Sequence, residues 1–373
     1  MKEWKAEPGV QAETDAKSDD DFLDETETEP EIRNTSSARK ETEYDSSCAT
    51  YIPDEVGKTP LFKILPFTNE KIHLYVKLEY CNPTGSVKDR AASYILNYIK
   101  ANKIIDEQTT IIESSSGNMG ISLAAYCNRL KLKFICVIDP HILKANESIL
   151  SDYKAEIIKV DASDVNGGYL ITRLEKVNEL MNSIPNSYWI NQYGNPLNAQ
   201  AYYLTLGEEM CRDVKKIDYV FLGVSSCGTI TGVSKKIKEK FPDATIVAVD
   251  IKGSVIFGGE PEKRYIPGIG SSKVPEILKE ALIDDVVVVT EEDSIESCYS
   301  LLDTYNVFIG GSSGSVISAI KQYFKNKELK KIVNVVTVFA DKGERYKNTI
   351  YNKEWIINIF GEALNDRINK NRE

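Results

Sequence analysis

The stretch NPTGSVKDR, Asn82 to Arg90, puts a lysine where a helix least favours one. Gly85 closes a turn-rich run, and Ser86 followed three residues later by Asp89 reads as a helix N-cap. Apolar or small side chains then recur at Val87, Ala91, Ala92, Ile95, Leu96 and Ile99, a helical period. Lys88 therefore falls in the first turn, at the positive end of the helix dipole, where a cation costs roughly 0.3–1 kcal/mol. A lysine gains from that position only if its task requires the neutral amine.

Outward from this helix the chain alternates. Apolar, β-rich runs are FICVID (134–139), YVFLGV (219–224), TIVAVD (245–250), DVVVVT (285–290) and VNVVTVF (333–339). Between them lie amphipathic stretches at 88–101, 118–130, 198–213, 231–240 and 313–325. Continuous apolar strands separated by helices predict an α/β fold with a mainly parallel sheet covered on both faces.

In such sheets ligands bind at the carboxyl ends of the strands. Three loops there are rich in small polar residues: IIESSSGNMGIS (111–122), FLGVSSCGTITG (221–232) and FIGGSSGSVIS (308–318). Small residues let backbone amides approach a ligand, and a helix N-terminus adds partial positive charge. Each loop alone is an ordinary connector; three of them downstream of one displaced lysine point to an anionic cofactor and an anionic substrate. The second loop lacks the Lys-Ser/Thr of a P-loop, and no GxGxxG opens the first strand–helix unit. A phosphorylated cofactor that bonds to lysine answers both observations: pyridoxal 5′-phosphate, through a Schiff base. Lys88 must be neutral to attack its aldehyde, so a lowered pKa is useful.

Composition narrows the remaining classes. The 373 residues are 42% hydrophobic and 27% charged, as in a globular protein. No apolar run is long enough for a membrane span, and the acidic start does not resemble a signal peptide. Seven scattered cysteines without CxxC spacing favour reduced thiols in a cytoplasm and argue against a zinc site. With only His73 and His141, a histidine triad or metal cluster is poorly supplied. Residues 1–50 hold 15 acids and 6 bases, nearly all of the net charge of −10. With few large apolar side chains, this segment reads as a disordered acidic leader, or alternatively as a partner-docking segment around Phe22 and Leu23. No basic stripe suggests nucleic acid.

The motifs resemble a known family. NPTGSVKDR resembles the lysine motif of the cysteine-synthase-like, fold type II pyridoxal phosphate enzymes; SSSGNMG resembles their substrate-carboxylate loop, VSSCGTITG their phosphate cup and GGSSGS the loop at the pyridine nitrogen. The match runs in order from about Tyr51 to Ile359. It implies two lobes, each with a mainly parallel sheet flanked by helices: a smaller one at about 85–188 and a larger one at about 51–84 plus 189–359. Residues 360–373 would form a C-terminal tail, and the enzyme would be a homodimer acting on small amino acids.

By matching motif, Lys88 would hold the cofactor, Asn118 would contact its ring oxygen, and Ser312 would meet the pyridine nitrogen. Ser225, Ser226, Cys227, Gly228 and Thr229 would bind its phosphate. Ser114, Ser115, Ser116 and Gly117 would grip the substrate α-carboxylate. A narrower resemblance, through WINQYGNPLN, AVDIKGSVIFGGEP and IPGIGSSKVPEIL, is to the branch that makes N-(2-amino-2-carboxyethyl)-L-glutamate, in the 2,3-diaminopropionate pathway of staphyloferrin-type siderophores. Ordinary cysteine synthases have GTGGT where this chain has SSCGT, so Ser225 and Cys227 would narrow the cup. That branch nominates Arg173 and Tyr193 as contacts for a phosphorylated amino acid; Arg173 could otherwise be a solvated helix residue and Tyr193 a packing aromatic. Cys227 reads as a lining residue rather than a nucleophile. The expected reaction is β-replacement on O-phospho-L-serine by L-glutamate. The rivals are a sulfide-using cysteine or phosphocysteine synthase and an idle scaffold that docks partners through the leader.

Overall fold

A computed structural model of the chain describes residues 53, 55–64, 69–164, 168–370 and 372; the leader, 1–50, lies outside them. Ten strands form two sheets. β1 (Leu61–Ile64), β2 (Ile72–Leu78), β7 (Tyr219–Gly223), β8 (Thr245–Ile251), β9 (Asp285–Val289) and β10 (Val333–Phe339) make a six-stranded sheet in the order β1-β2-β10-β7-β8-β9. Only β1 runs antiparallel, against β2; every other pairing is parallel. β3 (Thr110–Ser114), β4 (Lys133–Ile138), β5 (Glu156–Lys159) and β6 (Ser187–Trp189) make a wholly parallel sheet in the order β5-β4-β3-β6.

The α/β pattern appears because the central strands are buried along nearly their whole length. β3 is buried at all five positions and β10 at six of seven, as a sheet covered on both faces requires. The covering helices are α1 (Lys88–Ala101), α2 (Asn118–Leu130), α3 (Lys144–Asp152), α4 (Leu170–Ser183), α5 (Pro196–Tyr202), α6 (Glu208–Asp213), α7 (Gly228–Lys240), α8 (Glu291–Tyr305), α9 (Gly311–Phe324), α10 (Lys353–Phe360) and α11 (Glu362–Lys370). α1 spans the predicted 88–101 and buries Ala91, Ala92, Ile95, Leu96 and Ile99, the residues of the apolar period. The single helix expected at 198–213 is broken by a π turn, Tyr203–Gly207, between α5 and α6. Residues 362–370, expected within a tail, form α11 with Leu364 and Ile368 buried.

A buried ion network ties α1 to the larger sheet. Arg90 is fully enclosed and donates to both Glu79 (2.6 and 2.8 Å) and Glu209 (2.7 and 3.0 Å). Lys77, at the end of β2, reaches Glu209 at 2.8 Å and Asp213 at 3.2 Å. Losing one member would strand a buried charge, so the network pins the start of α1, two residues from Lys88. Among the described residues, no helix is long and apolar enough to cross a membrane, and no group of three or more His, Cys, Asp or Glu could hold a metal ion.

Candidate active site

The lysine loop is a tight turn followed at once by a helix. The Gly85 amide donates to the Asn82 carbonyl (2.8 Å), and Gly85 sits at φ +84°, where a side chain is strained. α1 begins at Lys88 with Val87 in the capping position, and the Ser86 hydroxyl accepts the Lys88 amide at 3.3 Å. Asp89 turns back instead to Thr84, accepting its amide (2.7 Å) and its hydroxyl. Lys88 lines a cavity of about 630 Å³, within the size range of small-molecule sites. Among the described residues, its Nζ has no hydrogen-bond or ion-pair partner. Burial pushes its pKa down to about 8, although nearby Cys227 and Asp341 favour the charged form. Burial is the principal cause, where the sequence pointed to the helix dipole.

The serine loop leaves β3 and enters α2. Its hydroxyls largely build the loop itself. Ser115 Oγ accepts the amides of Gly117 (3.3 Å) and Gly120 (3.0 Å). Ser116 Oγ donates to Asp139 (2.7 Å) and accepts from Arg173 Nη1 (3.0 Å). Ser114 Oγ is buried and, among the described residues, has no partner. Beneath the loop, fully buried Glu113 accepts the amides of Ser114 (2.7 Å) and Gln192 (3.1 Å), and burial pushes its pKa up to about 7.

The second loop leaves β7 and enters α7. Cys227, just before the helix, has φ +63°, a left-handed conformation suited to the glycine that stands here in a GTGGT cup. Burial raises its thiol pKa to about 12, so it is neutral and no ready nucleophile. Gly228 has no room for a side chain, since a Cβ would lie 2.3 Å from Asn198 Oδ1. Ser226 Oγ is buried without a partner among the described residues. The third loop differs from expectation in its entry: Ile309 makes a single bridge to Lys342 rather than a ladder strand. Ser312 then lies in the first turn of α9.

Lys88, Ser114, Ser115, Ser116, Gly117, Asn118, Ser225, Cys227, Thr229 and Ser312 all line the one cavity, as do Arg173 and Tyr193; Ser226 and Gly228 lie within the cup but off its wall. The first turns of α2, α7 and α9 thus share this wall, and their unpaired amides favour an anion. Arg173 is not a solvated helix residue: its side chain is 13% exposed, paired with Asp139 at 3.2 Å, and its Nε is buried without a partner. Tyr193 has its pKa pushed up to about 12 by burial, against the charges of Arg173 and Arg264.

Sequence reasoning missed the residues that hold Asn118. Its Nδ2 donates to Asp341 Oδ2 (2.7 Å), and its Oδ1 accepts from Arg345. Tyr346 also donates to Asp341 Oδ2 (2.6 Å), while Asp341 Oδ1 is buried and has no partner among the described residues. Burial raises the Asp341 pKa. The available signal was position: DKGERY follows the strand VNVVTVF, at its ligand-facing end.

Known proteins resemble this chain over most of its length. The family model described as pyridoxal-phosphate dependent enzyme matches residues 52–341. An O-acetylserine dependent cystathionine β-synthase from Helicobacter pylori is 32% identical over 80% of this chain and 97% of its own, with a TM-score of 0.75. A hydrogen sulfide-producing enzyme from Fusobacterium nucleatum is 31% identical over 79% and 98%, with a TM-score of 0.74. O-ureido-L-serine synthase is 25% identical over 84% and 96%, with a TM-score of 0.73. With the family model spanning both sheets and a free lysine facing three helix N-termini, the chain belongs to the fold type II pyridoxal-phosphate dependent enzymes, with pyridoxal 5′-phosphate as cofactor.

Proposed function

We propose that the chain catalyses β-replacement on O-phospho-L-serine by L-glutamate, giving N-(2-amino-2-carboxyethyl)-L-glutamate and phosphate, a step towards 2,3-diaminopropionate. The observation that carries the reading is Arg173, a guanidinium in the cavity wall, fixed beside the serine loop by Ser116 Oγ at 3.0 Å and Asp139 at 3.2 Å. A positioned guanidinium fork suits phosphate.

The cavity residues fit the cofactor on their own chemistry. An unpartnered Lys88 amine with a pKa of about 8 suits covalent attachment. The loop Ser225 to Thr229, with Ser225 and Thr229 in the cavity wall and the α7 amides behind them, suits its phosphate. Asn118, clamped by Asp341 and Arg345, suits the ring oxygen, and Ser312 the pyridine nitrogen. When bound, pyridoxal phosphate supplies an electron sink for the substrate α-carbon.

The side chains divide the remaining work. The loop Ser114 to Gly117 holds the donor's α-carboxylate, and Arg173 with Tyr193 holds its phosphate. Lys88 Nζ takes the α-proton as general base and later returns it. The Cβ–O bond breaks with its electron pair leaving on phosphate. The glutamate amine then forms the Cβ–N bond and gives up a proton. Six described cysteines, all without disulfides, support a reducing, cytoplasmic setting.

A second reading, a sulfhydrylase, is favoured by the sulfur chemistry named for the relatives at 31–32% identity. Comparing O-phosphoserine with O-acetylserine as donors separates the two. The proposal expects a preference for the phosphorylated donor of about tenfold to a hundredfold, the worth of one charge-assisted hydrogen bond. Arg173→Ala should erase that preference by impairing the phosphorylated donor. Equal efficiencies in the unaltered protein would refute it.

A further inference from the structure

Arg264 is a cavity-wall guanidinium that, among the described residues, makes no ion-pair contact with a carboxylate; Asp250 and Glu291 act on it only from longer range. The other described arginines are ion-paired to carboxylates, except Arg345, which is occupied by Asn118 Oδ1 and the Thr84 carbonyl. Among the described residues, the hydrogen-bond partners of Arg264 are neutral: the Gly253 carbonyl and Ser272 Oγ (3.1 Å). Asp250 and Glu291 favour its charge from beyond ion-pair contact and take their hydrogen bonds elsewhere. Asp250 accepts the Ile251 amide (2.9 Å), and Glu291 accepts the amides of Tyr265 (2.7 Å) and Ile266 (2.6 Å). The head is nonetheless held in place. The Arg264 stem packs over Gly270, where a Cβ would approach Cδ to 3.2 Å and where φ is +72°. Both Arg264 and Ser272 line the cavity that holds Lys88 and Arg173.

We propose that Arg264 and Ser272 form a second anion subsite, which takes a carboxylate of the incoming amino-acid nucleophile while Arg173 holds the leaving phosphate. The inference rests on the proposed β-replacement and names the specificity element of its second step. The donor's two anionic groups are met by the serine loop and by Arg173. A nucleophile with carboxylates brings further negative charge into the cavity, where an unpaired charge removed from water is costly. Arg264 supplies the cation, in a fork that suits a carboxylate, and Ser272 retains a proton to donate.

The test uses the holoenzyme and the variants Arg264→Met and Arg264→Lys. With O-phosphoserine alone, the initial burst of phosphate reads the first step. With glutamate added, kcat and KM read the second, and glutarate, which has the carboxylates but no amine, serves as a competitive inhibitor. Arg264→Met should raise the glutamate KM and the glutarate inhibition constant about 10- to 100-fold, with Arg264→Lys between, while the burst falls far less. An unchanged KM and glutarate inhibition, or a burst that falls in parallel, would overturn the subsite. If the unaltered enzyme does not consume glutamate, the proposed reaction fails separately. β-Alanine and propylamine, amines with and without a carboxylate, then decide the subsite: a preference for the acid that Arg264→Met abolishes supports it, and no preference overturns it.

Discussion

Lys88 carries a stability cost that can be measured without turnover. Its pKa falls from 10.5 to about 8 on burial, which corresponds to about 3 kcal/mol between the two protonation states. Cavity water screens part of this, so about 2–3 kcal/mol is the expected magnitude. Between pH 8 and 10.5 the unfolded chain binds more protons at this site than the folded one, so stability rises with pH across that window. Below pH 8 the folded protein bears the full penalty of a buried ammonium. Lys88→Met keeps the length of the side chain and removes the charge. In cofactor-free protein it should raise stability at pH 7 by about 2–3 kcal/mol, or about 3–5 °C in Tm for a chain of this size. The gain should shrink above pH 8 and vanish near 10.5. Thermal melts of both proteins from pH 6.5 to 10.5 read the difference, in which cysteine ionisation common to both cancels. A variant no more stable at pH 7, or a gain independent of pH, would refute the account of a destabilised amine.

Two further substitutions probe the frame around the lysine. Arg90→Met leaves fully buried Glu79 without its cation and Glu209 with Lys77 alone, and should cost about 3–5 kcal/mol, read as a lower urea midpoint at unchanged slope. Although burial opposes it, Arg90 and Lys77 hold Glu209 at about 2 against an ordinary 4.5. That contribution is present above pH 4.5 and lost as pH falls towards 2, so the acid transition of Arg90→Met should move upward; an unmoved transition would argue against the network. Gly228→Ala drives a methyl into Asn198 and should cost about 1–3 kcal/mol and loosen cofactor binding. Retention of pyridoxal phosphate equal to the unaltered protein in dialysis would contradict the cup assignment.

The parts legible in the sequence are those set by local pattern. α1 and α2 occupy 88–101 and 118–130, and β10 coincides with VNVVTVF, because each is one uninterrupted period with loop residues at its ends. The π turn at Tyr203–Gly207 was not legible, since one extra residue in a turn scarcely changes an apolar period. The left-handed Cys227 was invisible as geometry, although its place where ordinary cysteine synthases carry a glycine marked it as unusual. The residues missed altogether are buried ionisable groups with distant partners. Asp341 meets Asn118 across 223 positions, and Glu209 meets Arg90 across 119. Spacing along the chain carries no information about such pairs; only the rule that parallel strands present ligand sites at their carboxyl ends marks the neighbourhood of Asp341.

The central claim is that glutamate nitrogen becomes bonded to the serine β-carbon with loss of phosphate. The most direct measurement incubates the holoenzyme with O-phospho-L-serine and amine-labelled glutamate, then follows released phosphate and product mass together. The account predicts one phosphate per molecule of N-(2-amino-2-carboxyethyl)-L-glutamate, with the label retained in the new secondary amine. Phosphate release that leaves labelled glutamate unchanged, with an adduct appearing only when sulfide is supplied, would contradict it.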